Sequence, residues 1–139
     1  MILLVEDDPD HEALAIRALR KANVANEIKV ARDGAEALDF MKGITDGTQP
    51  MPQLVLLDLK LPKVEGLDVL RAIRAADKTA ILPVVVLTSS DEERDIVASY
   101  RLGVNSYIRK PVNFSEFAEA TRQLGMYWLV LNECPPNKS

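Results

Sequence analysis

The stretch Leu54-Val55-Leu56-Leu57-Asp58-Leu59-Lys60-Leu61-Pro62 decides the fold of this chain. Its apolar run ends in a single carboxylate, the pattern of a parallel strand buried on both faces. Such a strand has no place for a charge in its middle, so Asp58 falls at its carboxyl end. In open α/β sheets that end is where ligands bind. Ile2-Leu3-Leu4-Val5 followed by Glu6-Asp7-Asp8, and Val84-Val85-Val86-Leu87 followed by Thr88-Ser89, repeat the arrangement. Three strands thus deliver acids and hydroxyls to one rim.

Between and beyond these strands the chain alternates. Pro9-Asp10 opens a segment in which Leu14, Ala15, Ala18, Leu19 and Ala22 share one helical face. Glu27 to Ala31 reads as a short strand, and Asp33 as the N-cap of a helix over Ala35 to Met41. Gly43 to Pro52 reads as a long surface loop. Gly66, Val69, Leu70 and Ile73 have the i, i+3, i+4, i+7 spacing of a third helix. A fourth begins at Ser90-Asp91-Glu92-Glu93, with acids over its positive end, and stops near Gly103. Asn105 to Arg109 is a fifth strand, and Asn113 caps a last helix to about Leu131. Alternating strands and helices imply right-handed βαβ units and a doubly wound parallel sheet covered on both faces.

With 139 residues the chain is expected to form one domain over 1–131 with a tail over 132–139. Its net charge of -4, without a basic run, argues against nucleic-acid binding, which needs clustered Lys and Arg to neutralise phosphates. A lone cysteine, Cys134, cannot form an internal disulfide, and no long apolar segment suggests secretion or a membrane. The expected compartment is the cytoplasm.

At the rim, Glu6, Asp7 and Asp58 converge from neighbouring strands. Two carboxylates 5 Å apart repel by roughly 3 kcal/mol at an effective dielectric near 20, so the cluster calls for a cation or a raised pKa. Oxygen donors without His or Cys favour Mg²⁺. Lys110, after the fifth strand, and Thr88 add an ammonium and a hydroxyl, the groups that neutralise and orient phosphoryl oxygens. A carboxylate in such a constellation can itself be the nucleophile and form an acyl phosphate. Asp58, alone on the central strand, is the best candidate.

Glu6-Asp7, Asp58, Thr88 and Lys110-Pro111, in this order on a five-fold βα repeat, resemble the receiver domain of bacterial two-component response regulators. The resemblance runs from Ile2 to about Leu124. It implies a flavodoxin-like sheet of order 2-1-3-4-5 and a signalling switch rather than a metabolic enzyme. It further implies phosphorylation of Asp58 by a sensor histidine kinase and Mg²⁺ held by Asp7, Asp58 and the carbonyl of Lys60, with Glu6 acting through water. Thr88 and Tyr107 would be the switch pair, changing the surface of the fourth helix, fifth strand and fifth helix. The Lys110-Pro111 bond is expected to be cis. Fast-hydrolysing receivers often carry an amide and an acid where this chain has Lys60 and Ser90, so slow self-dephosphorylation is expected.

The last helix carries Phe117, Leu124, Tyr127, Trp128, Val130 and Leu131, and Met126 to Leu131 is apolar all round. Such a helix must be buried on more than one side, which predicts a homodimer or partner interface through the fourth helix, fifth strand, fifth helix and C-terminal segment. The ending Trp128-Leu-Val-Leu-Asn-Glu with Pro135-Pro136 is similar to stand-alone regulators that pair with bacterial phytochrome histidine kinases. His11, with no second histidine beside it, reads as a surface helix residue.

Four other readings stand beside this one. A haloacid-dehalogenase phosphatase needs a second Asp two residues past the nucleophile, where Lys60 stands. A flavodoxin-like cofactor binder needs a phosphate-cradling loop where Glu6-Asp7-Asp8-Pro9 is anionic. A phosphorylation-independent scaffold would not require Asp7, Asp58, Thr88 and Lys110 together. An intermediate acceptor in a phosphorelay would carry the same residues as a terminal regulator.

Overall fold

The computed structural model describes residues 1–21, 24–89, 92–110 and 115. Its elements are β1 (Ile2–Val5), α1 (Pro9–Lys21), β2 (Ile28–Ala31), α2 (Gly34–Asp46), β3 (Leu54–Leu57), α3 (Gly66–Ala75), β4 (Val84–Thr88), α4 (Glu93–Arg101) and β5 (Ser106–Arg109). The five strands form one sheet in the order β2-β1-β3-β4-β5, all parallel. The parallel sheet is the one that the alternation implied, and its strand order is the one that the receiver-domain resemblance implied. The calls on Ser90, Pro111, Phe117, Leu124, Tyr127, Trp128, Val130 and Leu131, and on the tail over 132–139, lie outside the described residues.

Register explains how the rim is assembled. Val5 is level with Ala31 on one side and Leu57 on the other, Leu57 with Val86, and Thr88 with Arg109. The residues that follow each strand therefore emerge at nearly the same height. Alternation along the strands also sorts the core into two layers. Leu3, Val5, Val55, Leu57, Val84 and Val86 pack with Phe40, Met41, Ile44, Val69, Leu70 and Ile73 from α2 and α3. Ile2, Leu4, Leu54, Leu56, Val85, Leu87 and Ile108 pack with Ala15 and Leu19 from α1. Carried one step past the strands, the second set leads to Glu6, Asp58 and Lys110. The pleat thus turns these charged residues toward the α1 face.

One boundary differs from the sequence expectation. The segment read as a loop from Gly43 begins inside α2, which continues to Asp46. Ile44 extends the buried stripe of Phe40 and Met41, so packing outweighs the low helix propensity of Gly43. A side chain at Gly43 would also meet Gln49, with a Cβ only 2.5 Å from its Cγ. The helix ends at Gly47, which adopts φ +83° while the Thr48 N–H donates to the Gly43 carbonyl at 2.8 Å. At its other end Asp33 is the N-cap, accepting from the Glu36 N–H at 2.8 Å. α4 starts later than expected, at Glu93 after the N-cap position Glu92.

Arg74, in the last turn of α3, ties the far side of the sheet together. Its Nε donates to the Leu102 carbonyl at 2.7 Å, Nη1 to Leu82 at 2.7 Å and Ala80 at 3.1 Å, and Nη2 to Gly103 at 2.7 Å. One guanidinium therefore joins the loop before β4 to the turn after α4. Partial burial pulls its pKa below the ordinary arginine value. Replacing Arg74 by alanine is expected to destabilise the fold by about 2 kcal/mol, from carbonyls that lose a charged donor. Arg74→Lys should recover little, because an ammonium lacks the planar fork. Urea midpoints of the three proteins check this, and a lysine variant as stable as wild type would remove the argument.

Candidate phosphoryl-acceptor site

Three ladder-type hydrogen bonds fix the rim. The Glu6 N–H donates to the Ala31 carbonyl at 2.9 Å, the Asp58 N–H to Val5 at 3.1 Å, and the Lys110 N–H to Thr88 at 3.0 Å. Each functional residue is thus held as if it were one more strand position, and its side chain inherits the rigidity of the sheet.

Among these side chains Lys110 is central. Its Nζ donates to Asp58 Oδ2 at 3.0 Å and to Glu6 Oε1, and lies 3.1 Å from His11 Nδ1. The ammonium and both carboxylates are almost completely covered, with side-chain exposures of 7%, 7% and 3% for Lys110, Asp58 and Glu6. Their charges are therefore poorly screened and depend on one another. Burial, reinforced by the neighbouring Asp58 charge, raises the Glu6 pKa above the usual carboxylate value, while the hydrogen bond from Lys110 opposes the rise. The remaining oxygens also have donors: Glu6 Oε2 accepts from the Asp8 N–H at 3.2 Å, and Asp58 Oδ1 from the Lys60 N–H at 3.2 Å.

Asp7 completes the acidic cluster from an exposed position. One oxygen from each of Glu6, Asp7 and Asp58 lies within 4.8 Å of the others. This donor set contains only hard oxygen and fits a divalent cation such as Mg²⁺ or Mn²⁺. Thr88, fully buried at the end of β4, adjoins the cluster through its carbonyl, which accepts from the Lys110 N–H. Tyr107 is half-buried on β5 and packs against the core layer that holds Val86.

Sequence reasoning assigns Asp8 no role here and places His11 on the helix surface. Asp8 Oδ1 accepts from the Asp10 N–H at 2.8 Å and the His11 N–H at 3.4 Å, so Asp8 caps α1. These hydrogen bonds lower the Asp8 pKa, the larger part coming from Asp10. The cap places His11 in the first turn, facing Lys110. His11 is thus part of the rim rather than a plain surface residue. The Asp8-Pro9 pair, an acceptor followed by a proline suited to the first helical position, was the available signal.

Comparison with known proteins agrees with this geometry. Residues 2–122 match the family described as response regulator receiver domain. The bacteriophytochrome response regulator AtBRR is 51% identical, with a TM-score of 0.80 over 95% of this chain and 96% of that one. Response regulator Rcp1 of Synechocystis sp. is 37% identical over 130 residues, covering 93% of this chain and 88% of that protein. A solved Mn²⁺-bound form of Rcp1 is 36% identical, with a TM-score of 0.76 over 97% and 98% of the two chains. The probable methanogenesis regulatory protein FilR2 of Methanothrix harundinacea is 39% identical over 135 residues, 97% of this chain and 87% of that protein. The chain belongs to the response regulator receiver domain family. Its relatives include phytochrome response regulators. Among the described residues no helix is long and apolar enough to cross a membrane.

Proposed function

We propose that this protein is a single-domain response regulator, a receiver over 1–131 followed by a tail, that accepts a phosphoryl group on Asp58 from a sensor histidine kinase. The observation that carries the reading is the buried bridge from Lys110 to Asp58 and Glu6. An ammonium already resting on the acceptor carboxylate is placed to follow charge onto the incoming phosphoryl oxygens with little reorganisation. The likeness to AtBRR and Rcp1 favours a bacteriophytochrome as the kinase.

Asp7, Asp58 and the Lys60 carbonyl would hold Mg²⁺, with Glu6 acting through water. When bound, the cation supplies positive charge to the phosphoryl oxygens. Asp58 is the nucleophile: one of its oxygens forms the new O–P bond as the N–P bond of the donor phosphohistidine breaks, and the electron pair returns to the imidazole. Lys110 donates to the transferred group. Thr88 turns its hydroxyl toward that group, and Tyr107 moves with it to change the surface formed by α4, β5 and the last helix. Phe117, Leu124, Tyr127, Trp128, Val130 and Leu131 would form a homodimer interface continuous with that surface.

The test is incubation with Mg²⁺ and acetyl phosphate followed by intact mass, with Asp58→Asn beside the wild type. The expected result is one phosphoryl group gained by the wild type and none by the variant or in excess chelator. Following the adduct after donor removal reads its lifetime, expected to be long because Lys60 and Ser90 replace the amide and acid of fast-hydrolysing receivers. A wild type that gains nothing would favour a phosphorylation-independent scaffold.

A further inference from the structure

His11 is the third partner of Lys110, and it differs in kind from the other two. An ammonium has three protons and no lone pair, so a ring nitrogen 3.1 Å from Nζ can only be an acceptor. A hydrogen bond here requires the tautomer with the lone pair on Nδ1 and the ring proton on Nε2. The competing contact of Nδ1 with Asp8 Oδ2 is longer, 3.7 Å, an ion-pair distance and not a hydrogen bond. Glu6, Asp58 and His11 together satisfy all three ammonium protons of a side chain that is 7% exposed.

We infer that His11 is a positioning residue that tethers Lys110 over Asp58 through a hydrogen bond to its ring nitrogen, an inference that rests on Asp58 being the phosphoryl acceptor. The two carboxylates that hold Lys110 are also the groups that a cation and the phosphoryl chemistry would engage. Their hydrogen bonds to the ammonium must weaken when that happens. His11 is not one of those groups and draws its position from a different element, the first turn of α1, which Asp8 caps. It can therefore keep Nζ in place while Glu6 and Asp58 change partners. The His11 side chain is itself 40% exposed, so without it one ammonium proton turns to solvent and the lysine is no longer held over the acceptor oxygen.

The test compares wild type, His11→Ala and His11→Asn, the last placing a carbonyl oxygen near the position of Nδ1. The rate of phosphorylation by acetyl phosphate at fixed Mg²⁺ is expected to fall about tenfold in His11→Ala, the scale of effect expected when a positioned group shifts by a fraction of an ångström. His11→Asn should recover most of that rate, whereas a purely structural role would give no such rescue. Separately, nitrogen NMR of the imidazole in the metal-free wild type should show an unprotonated Nδ1 and a protonated Nε2. Equal rates in all three proteins, or a protonated Nδ1, would overturn the inference while leaving phosphorylation of the wild type intact. A wild type that takes no phosphoryl group would instead overturn the acceptor reading, with the NMR result still judging the contact itself.

Discussion

Replacing Gly66 by alanine is expected to destabilise the protein by about 3 kcal/mol, the upper part of the range for forced overpacking. A Cβ at this position would lie 2.2 Å from the Asp58 carbonyl oxygen and 2.6 Å from Leu59 Cα, so it meets backbone rather than a side chain able to swing aside. The backbone itself has little slack. The Gly66 N–H donates to the Leu59 carbonyl at 3.0 Å, and the Gly34 N–H reaches Pro62 at 3.3 Å from the opposite side. Between them Lys63 already adopts φ +67°, a conformation disfavoured for a residue with a Cβ. Relief can come only by moving the segment that carries Asp58 and Lys60. Gly47→Ala serves as the comparison: its φ is +83° but no atom lies within 4 Å of the added Cβ, so its cost should be limited to about 1 kcal/mol of backbone strain. Urea unfolding of the two variants separates these cases, and a Gly66 variant no less stable than the Gly47 variant would show that the segment yields freely.

This close approach was not legible in the sequence, where Gly66 counted only as the first position of a helical pattern. Periodicity records which residues are buried, and it located β1, β3 and β4 because their residues are apolar on both faces. It also gave Asp58 and the Glu6-Asp7 pair, since a charge that ends such a run must emerge at the rim. Lys110 followed from its place after the fifth strand, which is less buried than β1, β3 and β4. Periodicity fails where a glycine serves packing: Gly43 reads as the start of a loop, yet it is buried inside a helix. It also passed over His11, because its importance comes from Lys110, which is distant in sequence and brought near only by the order of the strands. A lone histidine carries no pattern of its own. Pairing across a sheet is the information that composition and spacing lack.

Removing the ammonium, by Lys110→Met, should cost more than any ordinary surface change, on the order of 3 kcal/mol without divalent cations. The reason lies in what remains. Glu6 and Asp58 are buried beside each other, and burial together with the Asp58 charge raises the Glu6 pKa even with lysine present. Methionine fills the volume of the stem but leaves both carboxylates without the cation that offsets their burial and repulsion. The cost should therefore fall when a second change removes one charge: Lys110→Met with Glu6→Gln is expected to be more stable than Lys110→Met alone, a non-additivity that contacting groups show and distant ones do not. Mg²⁺ offers the complementary check. With no lysine competing for the same oxygens, the acidic cluster should bind the cation more tightly, and the thermal midpoint of Lys110→Met should rise further on Mg²⁺ addition than that of the wild type. Equal stability of Lys110→Met and wild type in chelator would contradict the prediction, because it would mean that the lysine and the carboxylates are held by their surroundings and not by each other.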